Sequence, residues 1–409
     1  MADLSAHLTR KRMSIRSYVF IASGLVASLS YSQSLSPNEA VQLAFQNRQA
    51  IKAASLRVES TKAARQSAAS SWAPTLWIGK GSAKVPGADD NDFSLVQGID
   101  LFGKVRSSVY RSDAEVAVAM SELKLVQLEV QRDVLSRYAQ IVASRKRLSI
   151  AEESLGISTN LRQAIQKRFE VGQVPEVQVL RASIERDRIE NLVHARKAEY
   201  TSAKARLSAA VGAEIATEPD KFFMDDRMQS ALNTDHPQLT LIRNQVLAGA
   251  REVERLERSN LPDTQLELRR SPWNQRQDFG LRVQIHFPLF DYGRSRNEVK
   301  SVSLRRESLE ASLMEAERQL TTELKVVEAE IVFADESVTR HNRLVSDAKQ
   351  LVEIAEKGLV AGALTLVETL EAAAALRTAE EALVEAEYKR SQAYGTRLFV
   401  TGRLLEVKS

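Results

Sequence analysis

The feature that most constrains this chain is that its second half repeats its first. Pro74 in Ser71-Trp-Ala-Pro74 is matched 188 residues later by Pro262 in Ser259-Asn-Leu-Pro262, and Leu101-Phe102 by Leu289-Phe290 at the same offset. The second copy then gains Asp291-Tyr292 before Gly293, the counterpart of Gly103. Beyond that insertion the offset is 190: Gly172 pairs with Gly362, Ala182 with Ala372, and Val211-Gly212 with Thr401-Gly402. A long internal period means one structural unit used again, not a string of unrelated domains. The 409 residues therefore divide into a first repeat over 33–217, a linker over 218–227 around Glu218-Pro219-Asp220, and a second repeat over 228–409.

Each repeat reads in the same order. A helix of about 35 residues comes first, Pro37 to Ser71 and Met228 to Ser259; Pro37 follows Ser36 as a first-turn proline behind an N-cap. A short turn-rich region follows. Then comes a very long helix, 104–171 or 294–361, with no proline in either. At about 1.5 Å per residue each spans roughly 100 Å. A glycine turn ends it, and a return helix runs over 175–211 or 364–400. Ile331, Ala334, Val338, His341, Val345, Ala348, Val352, Ala355 and Leu359 step by three and four, the spacing of a helix-pairing seam. Frequent Ala and Ser, as in Ala372 to Ala375, suit a thin-walled helical array; an ordinary antiparallel coiled coil is the simpler alternative.

The short regions change period. In Thr264–Arg270, Leu266 and Leu268 face one way, and Gln265, Glu267 and Arg269 the other. Leu281, Val283, Ile285 and Phe287 likewise oppose Arg282, Gln284 and His286. Period two means strands, here a hairpin over 263–287 around Ser271-Pro-Trp-Asn. The first repeat offers a weaker hairpin over 75–100, Thr75–Lys84 and Phe93–Asp100 around Pro86-Gly87. Residues 72–102 and 262–292 hold nine of the 23 aromatics, and Trp72, Trp77, Trp273 and Phe287 would form a girdle at a membrane–water interface. Four strands cannot close a barrel, and hydrocarbon does not tolerate open edges, so strands of this kind in a membrane require several chains to pool them. Three chains would give twelve strands, an allowed size. Two surface hairpins of a water-soluble protein are the other reading.

Residues 1–32 differ from the rest. Arg10, Lys11, Arg12 and Arg16 precede the apolar run Tyr18–Leu29, and Ser30 and Ser32 follow, the layout of a secretory signal peptide over 1–32, with Met13 as an alternative start. The formal charge of +4 lies mostly in this leader, so it does not argue for an acidic partner. Elsewhere the basic residues interleave with acids, as in Arg251-Glu-Val-Glu-Arg-Leu-Glu-Arg258, which reads as a solvated helix face and not a nucleic-acid surface. There is no cysteine, which excludes disulfides, thiolate metal sites and a lipidated cysteine anchor. The five histidines are scattered without metal-ligand spacing. No nucleophile elbow, phosphate loop or metal cluster is present, so neither an enzyme nor a cofactor is expected.

Specific segments then resemble a known family. Leu35-Ser-Pro-Asn-Glu-Ala-Val-Gln-Leu-Ala44 is similar to the first helix of TolC-type outer-membrane efflux proteins. Asp100-Leu-Phe-Gly-Lys104 and Phe287-Pro-Leu-Phe-Asp-Tyr-Gly293 resemble that family's strand-to-helix junctions at Gly103 and Gly293. Arg168-Phe-Glu-Val-Gly172 followed by Val179-Leu-Arg-Ala182 resembles its helix turn. The resemblance implies a mainly α fold with a small β part: a homotrimer with a twelve-stranded outer-membrane β-barrel, four strands per chain, continued by a twelve-helix α-barrel through the periplasm. It also implies an exit duct that docks through a periplasmic adaptor (membrane fusion) protein onto an inner-membrane pump such as an RND or ABC transporter. Outer-membrane lipid would surround the barrel.

By that resemblance the tip turns carry the docking surface, at Val171, Gly172, Val174, Gly362 and Leu364, and Glu368 and Glu371 form the periplasmic gate. Three copies would stack two carboxylate rings, which favour cations and raise one another's pKa values. Ordinary solvated glutamates are the alternative. The chain departs from the family pattern at Gln178 and Arg181, where an acid is usual at the first, and at Leu359 and Leu364, where some members carry a tyrosine and an arginine that tether the closed gate. Pro175 stiffens the first turn. The remaining alternative is a secreted or periplasmic coiled-coil structural or adaptor protein without a pore.

Overall fold

The computed structural model describes residues 35–70, 72–80, 91–215, 218–225, 235–270, 279–288 and 290–405. The leader, the turns at Pro86-Gly87 and Ser271-Pro-Trp-Asn, and Trp273 with them, lie outside the described residues. The first repeat contains α1 (Pro37–Asn47), α2 (Gln49–Ala69), β1 (Thr75–Lys80), β2 (Asn91–Ile99), α3 (Lys104–Glu170) and α4 (Glu176–Val211). The second contains α5 (Pro237–Ser259), β3 (Asp263–Arg270), β4 (Phe279–His286), α6 (Arg294–Ala361) and α7 (Leu366–Val400).

The first helix differs from the expected single rod. It breaks at Arg48, whose backbone is extended at φ −70° and ψ 120°. The cause is tertiary. The Arg48 guanidinium donates to the carbonyls of Ala209 and Ala210, at 3.0 and 2.9 Å, and to Asp133 at 3.1 Å. It thereby satisfies orphan acceptors at the C-terminal end of α4, where a cation is also favoured by the helix dipole. The helix expected from Met228 is described only from Pro237, the first-turn proline behind the cap residue His236; residues 226–234 lie outside those described.

The repeat landmarks share a backbone state. Gly103 and Gly293, Gly172 and Gly362, and Gly212 and Gly402 are all left-handed, with φ between +69° and +82°. Each pair stops or starts a helix at the same place in its repeat. The two-residue insertion supplies a cap: Asp291 accepts from the backbone N–H of Gly293 at 3.0 Å and of Ser295 at 3.1 Å, holding the N-terminus of α6. In the first repeat Asp100 accepts from Arg106 N–H at 3.1 Å.

The seam of α6 is buried at every position except His341, which is half-buried with its Nδ1 2.8 Å from the Ser337 carbonyl oxygen. The main core lies where α1, the middles of α3 and α6 and the ends of α4 and α7 meet, around Val41, Val134, Tyr138, Leu207, Leu239 and Leu398. Tyr138 donates its hydroxyl to the Leu35 carbonyl at 2.8 Å, and burial pushes its pKa up to about 12.

His236 is fully buried beside this core. Its Nδ1 accepts from Gln238 N–H at 3.2 Å while Nε2 lies 3.0 Å from the Phe399 carbonyl oxygen, so the ring is neutral with its proton on Nε2. Burial lowers its pKa, opposed by the Phe399 carbonyl and by Glu323. The folded chain therefore resists a proton that the unfolded chain takes up at about pH 6.5. Stability is full above that pH and falls as pH drops below it. We expect the thermal midpoint to fall between pH 7.5 and 5.5 by less in His236→Asn, which keeps a cap acceptor but cannot titrate. An equal drop in both would remove His236 from the pH response.

Candidate functional site

Two features stand out, a four-stranded sheet at one end and the helix turns at the other. The sheet is fully antiparallel in the order β1-β2-β3-β4, so the two hairpins join through β2 and β3, and β1 and β4 are open edges. Cross-strand pairing carries Leu76, Leu95, Leu268 and Leu281 across the sheet in one row. Ile78, Phe93, Arg270 and Phe279 form the next row on that face, and Leu266 with Val283 lies on the other side of the leucines. Leu281, Val283 and Ile78 are 69%, 62% and 78% exposed, so among the described residues nothing covers this apolar face. Phe93 and Phe279 meet edge to face at 6.3 Å.

The opposite face is polar. Glu267 is nearly buried there, paired with Arg282 and accepting from Gln284 Nε2 at 3.0 Å. The ends of the sheet are tied to the helices: Lys104 meets Asp263 at 2.8 Å, and Arg258 donates to the Phe102 carbonyl at 3.2 Å beside Gly103.

The register corrects the expected aromatic girdle. Trp77 pairs with Ser94, which pairs with Arg269, so its ring belongs to the polar face. Trp72 also covers that face: a Cβ at Gly98 would stand 2.7 Å from its ring, and Gln97 Nε2 donates to its carbonyl at 2.8 Å. Both tryptophans are therefore off the apolar band. Phe287, exposed and one residue past β4, continues the apolar alternation of Ile285.

At the other end α3 and α6 stop in matching turns. Gly172 N–H donates to Phe169 and Gln173 N–H to Arg168; Ala363 N–H donates to Gly358. Leu161 and Ile165 of α3, Ala182 of α4, Leu359 of α6 and Leu366 of α7 form one buried cluster, which welds the two hairpin tips together. Arg168 adds a polar tie, donating to the Leu359 carbonyl across the repeats at 2.9 Å. Val174 and Leu364, expected on the docking surface, instead pack inward, Val174 on the cluster above and Leu364 on Val352, Ala355 and Ala372. Val171, Gly172 and Gly362 remain exposed. Val360, 80% exposed at the end of α6, joins them, and sequence reading missed it.

Glu368 and Glu371 differ more than their spacing suggests. Glu368 closes a capping box, its carboxylate accepting from Thr365 N–H at 2.7 Å and from the Thr365 hydroxyl at 2.8 Å. The Thr365 backbone N–H and then its hydroxyl hold the Glu368 carboxyl below the usual range. Glu371 is exposed one turn further on and has no hydrogen-bond or ion-pair partner among the described residues. The Thr-x-x-Glu pattern from Thr365 to Glu368 was the available sequence signal for this cap.

Among the described residues no helix is long and apolar enough to cross a membrane, and no group of His, Asp and Glu could hold a metal ion.

The outer membrane protein VceC from Vibrio cholerae superposes with a TM-score of 0.74 at 18% identity, over 90% of this chain and 96% of that one. The Campylobacter jejuni CmeC outer membrane channel gives 0.71 at 16% identity, over 97% and 94%. The open state of the Neisseria gonorrhoeae MtrE outer membrane channel gives 0.73 at 15% identity, over 90% and 89%. No curated protein sequence matches the chain significantly. The family model for outer membrane efflux proteins matches residues 40–213 and 249–398, once in each repeat and over most of the chain. The chain belongs to the outer membrane efflux protein family.

Proposed function

We propose that three copies of this chain form the outer-membrane exit duct of a tripartite efflux or secretion system. The duct receives small molecules, metal ions or proteins from an inner-membrane pump through a periplasmic adaptor. The observation that carries this reading is the open sheet with one exposed apolar face, joined directly to helices of 67 and 68 residues. Three such sheets supply twelve strands and leave no edge. At the tip α4 packs on α3, α3 on α7, and α7 on α6. The free sides of α4 and α6 expose Val177, Leu180 and Ile184 on one and Leu351, Ile354 and Val360 on the other. Neighbouring copies would cover these in a closed ring. Membrane fractionation with chemical crosslinking tests the reading: a detergent-extracted outer-membrane trimer supports it, and a soluble monomer rejects it.

The gate assignment follows from the same reading. Glu371, with no partner among the described residues, is the carboxylate that three copies would present to passing cations, and Glu368 is first a cap. Glu371→Gln is expected to weaken blockade of single-channel current by multivalent cations several-fold. Glu368→Gln, which preserves a capping box, is expected to weaken it less. Unchanged blockade in the double variant would remove both residues from the gate.

A further inference from the structure

Between the sheet and the main core, α2 packs on α3, α3 on α5, and α5 on α6. A cavity of about 600 Å³ is lined by residues from all four helices and lies on the face that they share. That volume suits a small organic molecule. Val118, Ala119, Ala248 and Leu309 give it an apolar lining, and Gly249 adds no side chain.

Four arginines also line it, and the carboxylates there are already engaged. Glu122 meets Arg57 at 3.3 Å. Glu115 and Glu252 each meet Arg111 at 2.8 Å. Glu252 also takes Arg255 at 2.8 Å, and that hydrogen bond is the chief reason its carboxyl stays below the usual range. The remaining two arginines are less satisfied. Arg305 makes no ion pair or hydrogen bond among the described residues. Arg306 meets only Glu310, at 3.3 Å, and makes no hydrogen bond among the described residues. Unused guanidinium donors beside an apolar lining match a planar acid, whose two oxygens take paired N–H donors while its ring covers the alkyl surface.

We propose that this cavity is a binding site for amphipathic organic carboxylates, held by Arg305 and Arg306. The inference rests on the duct reading only in placing the cavity on the channel wall, where it would slow or concentrate an acidic cargo.

The test is isothermal titration of the full chain in detergent with naphthalene-2-carboxylate and its neutral carboxamide. The acid should bind at least about tenfold more tightly than the amide, as expected for charge-assisted hydrogen bonds. Arg305→Gln should remove most of that preference without changing amide binding, and Arg306→Gln should add to the loss. Arg305→Lys should restore part of it. Equal binding of acid and amide, no binding of either, or an acid affinity unmoved by the glutamine variants would each overturn the site. Single-channel recording without ligand separates the two readings. A chain that conducts but does not prefer the acid defeats this inference alone. A chain that prefers the acid but never conducts defeats the duct.

Discussion

Leu281→Arg is expected to abolish assembly of the proposed trimer in the outer membrane. Leu281 ends the row Leu76–Leu95–Leu268–Leu281 and is 69% exposed on the face that no described residue covers. In the proposed barrel that face meets lipid. An arginine on the lipid face near the bilayer midplane costs about 2–4 kcal/mol. The trimer incurs that cost in each copy. The control is Gln284→Arg, on the same strand but beside Glu267 and Arg282 on the polar face. It should assemble like the unaltered chain. Trimer yield is read as the slow-migrating band in unheated gels of outer-membrane fractions. Normal trimer from Leu281→Arg would mean that this face does not contact lipid.

The contrast between Leu281 and Gln284 was legible in the sequence because β4 alternates without a fault. The first hairpin was not, for a physical reason. Its β1 reads Thr75-Leu-Trp-Ile-Gly-Lys80, with apolar residues on both faces, so alternation cannot say which way Trp77 points. Only pairing with Ser94 settles that. The helix ends were well marked, since each paired glycine occupies the left-handed region, which other L residues enter at a cost. The break at Arg48 was hidden, because its cause lies on α4, 161 and 162 residues away in sequence. The tip was partly legible. The turns were found, but the inward rotation of Leu364 depends on Gly358, where a Cβ would stand 2.7 Å from a Leu364 methyl. The resemblance located Glu368 and Glu371 together, whereas the local Thr365 cap divides their roles.

The paired glycines lead to the second large effect. Gly212 and Gly402 occupy equivalent places in the two repeats, with φ +77° and +69°. An alanine at either costs roughly 1–2 kcal/mol for the left-handed backbone. Their surroundings differ. A Cβ at Gly212 would lie 3.3 Å from Asn47, a tight contact that a small shift relieves. One at Gly402 would lie 2.7 Å from His236 Cδ2, 2.9 Å from Pro237 Cδ and 3.1 Å from His236 Cα. A proline ring and a buried imidazole held at both nitrogens cannot move aside easily. Overpacking of this kind adds about 1–3 kcal/mol, so Gly402→Ala should cost roughly 2–5 kcal/mol in all. It should also loosen the contact of His236 with Phe399 and steepen the loss of stability below pH 6.5. Denaturant midpoints of the two alanine variants at pH 7.5 and 5.5 check this. Gly402→Ala should fall further than Gly212→Ala at both, with the gap wider at pH 5.5. Equal losses would mean that the clash with His236 and Pro237 is relieved by movement of the C-terminal turn.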